Sequence, residues 1–176
     1  MDVAIVMPAY NEEACIENVI NLWLPIFNQV SGVLIVVNDG SKDNTGVILN
    51  RLALEDARIV VIQQENAGHG LSVLNGYRKA IALGAEFTFQ TDSDDQLVPA
   101  DFWKLWNARH LSPFIIGHRK NRRDPYLRIL ITRVIPVINF FLFGTWIKDA
   151  NIPFRLMQTS YLKKFDLPAT RKCLCP

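Results

Sequence analysis

Apolar and polar positions fall into two kinds of block that alternate along the chain. Near-continuous apolar runs, VAIVMPAY (3–10), GVLIVVND (32–39), ARIVVIQQ (57–64), EFTFQTD (86–92) and PFIIGHR (113–119), predict five β-strands. The segments between them carry apolar residues at helical spacing. Ile16, Val19, Ile20, Trp23 and Phe27 predict a helix over 12–30, with Asn11 as N-cap and Glu12 and Glu13 in its first turn. A helix over 44–56 takes Asp43 as its cap. Leu71, Leu74, Tyr77 and Ile81 predict one apolar face on a helix over 70–83, which Gly84 ends. A further helix is predicted over 100–110.

Strands that are apolar throughout and alternate with amphipathic helices imply an α/β fold, with a largely parallel sheet covered on both faces. Ligands in such sheets bind beyond the carboxyl ends of the strands. The unusual polar residues fall there: PAYNEE, NDGS, QQENAGHG, TDSDDQ and GHRKNRR follow the five strands in turn. Five loops on one edge therefore predict a site before any motif is considered.

Composition narrows the classes. A chain of 176 residues with 49% hydrophobic and 20% charged residues reads as one globular domain, 1–176. Net charge is only +2, but Arg119, Lys120, Arg122, Arg123, Arg128 and Arg133 cluster against a single acid, Asp124. Such a run suits phosphate, acidic lipid or nucleic acid, and it equally suits a solvated face. The three cysteines, Cys15, Cys173 and Cys175, form no disulfide framework and fit a reducing compartment. No secretory leader is read at the N-terminus. The longest uncharged run, VIPVINFFLFGTWI (134–147), contains Pro136, Asn139 and Gly144. It is shorter than the ~20 residues that span a bilayer, so it reads as buried, re-entrant or interfacial. No P-loop, first-strand G-x-G-x-x-G or G-x-S-x-G elbow is present.

The aspartates of FQTDSDDQ (89–96) are the sharpest chemical feature. In extended chain, residues two apart point the same way, so Asp92, Asp94 and Gln96 share a side and Ser93 and Asp95 face the other. Converging carboxylates raise one another's pKa unless a cation joins them. Oxygen donors alone favour Mg²⁺ or Mn²⁺. The other reading is an Asp-rich turn that caps the helix starting near Pro99.

Taken together and in order, PAYNEE, VVNDGSKDNT, NAGHG, TDSDDQ and the later FR pair resemble the family 2 glycosyltransferases of GT-A fold, over about residues 3–160. The D-x-D-x-Q form and the basic-then-apolar stretch are most similar to the branch related to dolichol-phosphate mannosyltransferase. The resemblance implies metal-dependent, inverting transfer of a sugar from a nucleotide-sugar donor to a polyprenyl phosphate. Pro8, Tyr10 and Glu12 would line the base and ribose pocket. Asp39 would accept a hydrogen bond from the base, and Gly68 and Gly70 would let backbone approach the ligand. Asp92 would lie near ribose and metal, Asp94 would bind the metal directly and Gln96 would complete the set, with Mg²⁺ or Mn²⁺ as cofactor. Arg119 and Arg155 would contact phosphates. Asp149 would act as general base toward a hydroxyl acceptor, or orient Arg155 or the acceptor when that acceptor is a phosphate.

Residues 125–147 would lie in a membrane interface, or cover the sheet as core helices. The expected place is the cytoplasmic face of a membrane, with peripheral contact and no nucleic-acid partner. Relatives of this kind extend further, so the domain is expected to be C-terminally short. Two rival readings remain at this stage: a saccharide-hydroxyl acceptor in cell-wall or O-antigen synthesis, and a nucleotide-sugar binding module without catalysis.

Overall fold

A computed structural model describes residues 1–93, 99–117 and 153–164. Strand β1 (Val3–Ala9) is followed by helix α1 (Ile16–Trp23) and a 3₁₀ turn (Leu24–Asn28). Then come β2 (Gly32–Asp39), α2 (Thr45–Glu55), β3 (Ile59–Gln64), α3 (His69–Ala82) and β4 (Phe87–Gln90). A 3₁₀ turn (Pro99–Asp101) leads into α4 (Phe102–Asn107), then β5 (Phe114–Ile116), β6 (Arg155–Gln158) and α5 (Thr159–Leu162). The six strands form one sheet in the order β3-β2-β1-β4-β6-β5. β3, β2, β1 and β4 are parallel, and β6 runs antiparallel to both β4 and β5. This is the expected α/β architecture with a mostly parallel sheet.

Strand alternation divides the core in two. Val3, Ile5, Met7 and Ala9 of β1 face α1, α2 and α4, where Trp23, Leu49, Phe89, Phe102 and Phe154 are buried. Ala4 and Val6 face the opposite side, with Ile35, Val37 and Ala80. The first layer is held by aromatic edge contacts, such as Phe89–Phe154 with ring centroids 4.7 Å apart. The second buries only Ala, Val and Ile, and α3 meets it with the small residues Ser72, Gly76 and Ala80, so the helix lies close on the sheet.

That closeness corrects one expectation. The residues α3 buries are Ser72, Val73, Gly76 and Ala80. Leu71, Leu74, Tyr77 and Ile81 are only half-buried, along the flank of that face. Helical period alone ranks large apolar residues first, but a helix against a flat apolar sheet puts its smallest side chains innermost. A Cβ on Gly76 would stand 2.2 Å from Cγ1 of Val6. Gly76→Ala should therefore lower stability by up to about 2 kcal/mol, overpacking of about 1–3 being offset by a helix-propensity gain of about 1. Thermal denaturation checks this, and a raised melting point would refute the close approach.

Other boundaries also moved. The helix expected over 12–30 begins at Ile16, with Cys15 at its N-cap position, and tightens into 3₁₀ at Leu24, where Pro25 enters its first turn. Asn11 is not its cap; it stands at φ +56 in the loop, a left-handed conformation that Asn tolerates better than most residues. The N-cap position of α2 is Asn44 and not Asp43; Asp43 stands one residue earlier, where its Oδ1 accepts from the Thr45 N–H at 3.0 Å. Gly84 at φ +71 follows α3, as expected. β4 stops at Gln90, short of the expected 92. β5 covers only 114–116, short of the expected 113–119, and it pairs with β6. β6 itself was not predicted.

Candidate active site

The sheet order reverses direction between β1 and β4, and a crevice opens at that point. The β1–β4 pairing ends at Val6↔Gln90, with Thr91 N–H donating to the Val6 carbonyl. Pro8 lies one step beyond on the same edge of β1, so its missing N–H costs no ladder bond. Between the diverging strands is an open cleft of about 310 Å³. Pro8, Tyr10 and Glu12 from the β1 loop, Asp39 at the end of β2, Asn66, Gly68 and His69 before and at the start of α3, and Asp92 after β4 all line it. Every described residue assigned to nucleotide binding is thus in one place. Gly70 follows His69 in the first turn of α3. Asp94, Gln96, Arg119, Asp149, the basic run and residues 125–147 lie outside the described residues.

Hydrogen bonds between loops hold the cleft in shape. The β1 and β2 loops are joined reciprocally. The N–H groups of Asn11, Glu12 and Glu13 donate to Ser41 Oγ at 3.0 Å, Thr45 Oγ1 at 2.8 Å and Asp43 Oδ2 at 3.1 Å. In return, Asn11 Oδ1 accepts from the Lys42 N–H at 2.8 Å and Glu13 Oε2 from the Asn44 N–H at 2.9 Å. At Asp43 desolvation is the largest single effect and raises the pKa. Hydrogen bonds from Thr45 and the Glu13 N–H outweigh it together and hold the carboxyl below its usual range. Cys15 donates its thiol to Glu12 Oε2 at 3.1 Å and also lies 3.5 Å from the Ser93 carbonyl, so it joins the β1 loop to the β4 loop.

Asp39 is the most heavily used of the predicted residues. It is 4% exposed. Oδ1 accepts from Gln64 Nε2 at 2.7 Å and the Ala67 N–H at 2.8 Å, and Oδ2 accepts from the Gly68 N–H at 2.9 Å. Its carbonyl accepts from Asn66 Nδ2 at 3.1 Å. The carboxylate thus ties down the NAGHG loop, a task that its place in NDGS did not reveal. Gly68 stands at φ +90 with open space where a Cβ would lie, so backbone conformation and access to the cleft account for glycine here.

Below this clamp a second polar layer replaces apolar packing. Asn38 is buried; its Nδ2 donates to Gln63 Oε1 at 2.6 Å, and its Oδ1 accepts from the Ser41 N–H at 3.2 Å. Gln64 also donates to Ser72 Oγ at 3.2 Å and accepts from Asn75 Nδ2 at 2.8 Å. Asn66, His69, Ser72, Ser93 and Cys15 were not picked out from sequence. The Gln63–Gln64 pair ending an apolar strand was the available signal for this layer. Asp92 sits half-buried at the β4 side of the cleft. Among the described residues no three His, Cys, Asp or Glu side chains gather as a metal site. The oxygen donor that is described, Asp92, suits a hard cation. Arg155 opens β6 directly opposite Gln90, at the same sheet edge.

The family model for Glycosyl transferase family 2 matches residues 4–164. The UDP-N-acetylglucosamine–dolichyl-phosphate N-acetylglucosaminyltransferase of Methanococcus voltae is 28% identical over 179 residues, covering 90% of this chain and 70% of that protein. The polyprenol monophosphomannose synthase of Mycolicibacterium smegmatis is 28% identical over 173 residues, covering 94% of this chain and 64% of that one. Among solved structures, S. aureus TarS 1–349 superposes at a TM-score of 0.68 with 20% identity, covering 98% of this chain and 51% of that one. Glucosyl-3-phosphoglycerate synthase from Mycobacterium tuberculosis, with Mn²⁺, UDP-glucose and phosphoglyceric acid, superposes at 0.66 with 21% identity, covering 92% of this chain and 57% of that one. The chain therefore spans between half and 70% of the length of these proteins.

Proposed function

From the premise that this chain belongs to glycosyl transferase family 2 and has its GT-A fold, we propose that it transfers a sugar from a nucleotide-sugar donor to a polyprenyl phosphate. The observation that carries this reading is the meeting of Pro8, Tyr10, Glu12, Asp39, Gly68 and Asp92 around one cleft at the strand switch point. The choice of acceptor follows the two relatives that act on dolichyl phosphate or make a polyprenol monophosphomannose.

In this proposal the half-exposed Tyr10 ring stacks on the base, and Glu12 accepts from base or ribose donors. Asp39 keeps the Gly68 loop against the nucleotide and turns its remaining acceptor capacity to the base. Asp92, Asp94 and Gln96 would hold Mg²⁺ or Mn²⁺, which when bound offsets charge on the leaving diphosphate. Arg119 and Arg155 contact phosphate oxygens. An acceptor phosphate is already an anionic nucleophile, so Asp149 orients Arg155 or the acceptor and abstracts no proton. Displacement is in line at the anomeric carbon, which inverts its configuration. Residues 125–147 bring the domain to the membrane surface that carries the acceptor. No helix among the described residues is long and apolar enough to cross that membrane.

The test has two stages. A thermal-shift screen of UDP-, GDP- and dTDP-sugars with Mn²⁺ should raise the melting temperature for one base. Release of the matching nucleoside diphosphate should then rise at least tenfold when polyprenyl phosphate is added. Release driven by a saccharide and not by lipid phosphate would replace the acceptor. Nucleotide binding with no release under either condition would leave a binding module.

A further inference from the structure

Three polar residues from three elements meet on the α3 side of the sheet, beside the apolar cluster of Ala4, Val6 and Val37. Tyr77 of α3 packs against the cluster of Ala4, Val6 and Val37, and its hydroxyl donates a short hydrogen bond to Oε1 of Gln90. Gln90 ends β4 and is 3% exposed. A side-chain amide buried there is costly unless it is hydrogen-bonded, and an apolar residue would suit the strand position at less cost. The β4–β6 register places Arg155 directly opposite Gln90. Residues so paired share a face, with Cβ atoms about 4.5–5.5 Å apart. Burial pushes the Tyr77 phenol well above its usual range, and the positive charge of Arg155 works against that push. This agrees with the register, which sets Arg155 beside the Gln90 that Tyr77 holds. With its hydrogen directed at Gln90, the phenol oxygen keeps lone pairs that a cation can use. Tyr77 belongs to the same helix whose first residues, Gly68 and His69, line the cleft.

We propose that Tyr77 and Gln90 are positioning residues: the phenol fixes the Gln90 amide, and together they hold the Arg155 guanidinium at the cleft edge for the phosphates of the donor. The inference rests on reading Arg155 as a phosphate ligand. Arg carries much rotamer freedom, about 2 kcal/mol, and a platform that restricts it beforehand leaves less to lose on binding. A phenylalanine at position 77 would pack equally well and leave the amide free to turn.

The experiment is a double-mutant cycle on the full chain. Binding of pyrophosphate, UDP and GDP, each with Mn²⁺, is measured by calorimetry for Tyr77→Phe, Arg155→Ala and the double variant. Arg155→Ala should weaken binding at least tenfold and Tyr77→Phe three- to tenfold. Adding Tyr77→Phe to Arg155→Ala should change binding less than twofold. If the two losses multiply, or Tyr77→Phe binds like the parent while Arg155→Ala is weak, the positioning role is wrong and the phosphate role of Arg155 stands. If Arg155→Ala binds like the parent, the phosphate reading fails and the inference with it. Should Tyr77→Phe melt lower than the parent, Gln90→Met replaces it in the same cycle, with the same outcomes deciding.

Discussion

Asp39→Ala should lower the melting temperature by roughly 5–15 °C and weaken nucleoside diphosphate binding at least tenfold. The carboxylate receives three hydrogen bonds, from Gln64, Ala67 and Gly68, in a nearly closed environment. Hydrogen bonds to a charged group contribute about 1.5–3 kcal/mol each and are not additive, so a loss of about 2–4 kcal/mol is expected. For a domain of this size each kcal/mol moves the midpoint by about 2–4 °C. The affinity loss has a second source. Without the clamp, the loop from Asn66 to Gly68 must be ordered when the ligand binds. Asp39→Asn should lie between: one amide oxygen still serves Gln64 and Ala67, but the amide nitrogen confronts the Gly68 N–H. Thermal denaturation and calorimetry decide. A midpoint within 2 °C of the parent would show that the loop does not depend on Asp39.

The second large effect is expected at Asp94. Asp94→Ala should abolish Mn²⁺-dependent binding of a nucleoside diphosphate, whereas Asp95→Asn should alter it less than threefold. The contrast is the one expected from the spacing of TDSDDQ; β4 ends at Gln90 and Asp92 lines the cleft, while Asp94 and Asp95 lie outside the described residues. In extended chain, alternation would put Asp92 and Asp94 on one side and Asp95 on the other. Paired carboxylates are unfavourable without a cation and favourable with one, so removing one of them removes the reason for the ion to bind there. Calorimetry with and without Mn²⁺ measures both variants. Equal losses for Asp94→Ala and Asp95→Asn would mean a solvated acidic turn and not an oriented ligand set.

Much of the fold was legible along the chain, because its signal is local and repeated. Five apolar runs separated by amphipathic stretches can be satisfied by few arrangements other than a covered, largely parallel sheet. The candidate nucleotide residues were legible for a related reason. Parallel strands send their following loops to one edge, so Tyr10, Asp39, Gly68 and Asp92 are neighbours however far apart they stand in sequence. The resemblance to a known family added roles to residues that this geometry had already grouped.

What pairs across the chain was not legible. β6 is the four-residue segment RLMQ, with no alternation and with helix-favouring Leu and Met. Only the open edges of β4 and β5 make it a strand, and only its antiparallel direction returns Arg155 to the cleft side. The inner face of α3 was misjudged because close packing on Val6 favours Gly76 over larger neighbours, a preference that no helical period contains. The hydrogen bonds of Asp39 to the NAGHG loop, and of Tyr77 to Gln90, join residues that pattern cannot pair. Sequence alone determined the alternation of elements and the edge on which the chemistry gathers, since both follow from local periodicity and strand direction. Tertiary structure decided which side chains carry the site and which hold it in place, since that depends on register and packing between distant segments.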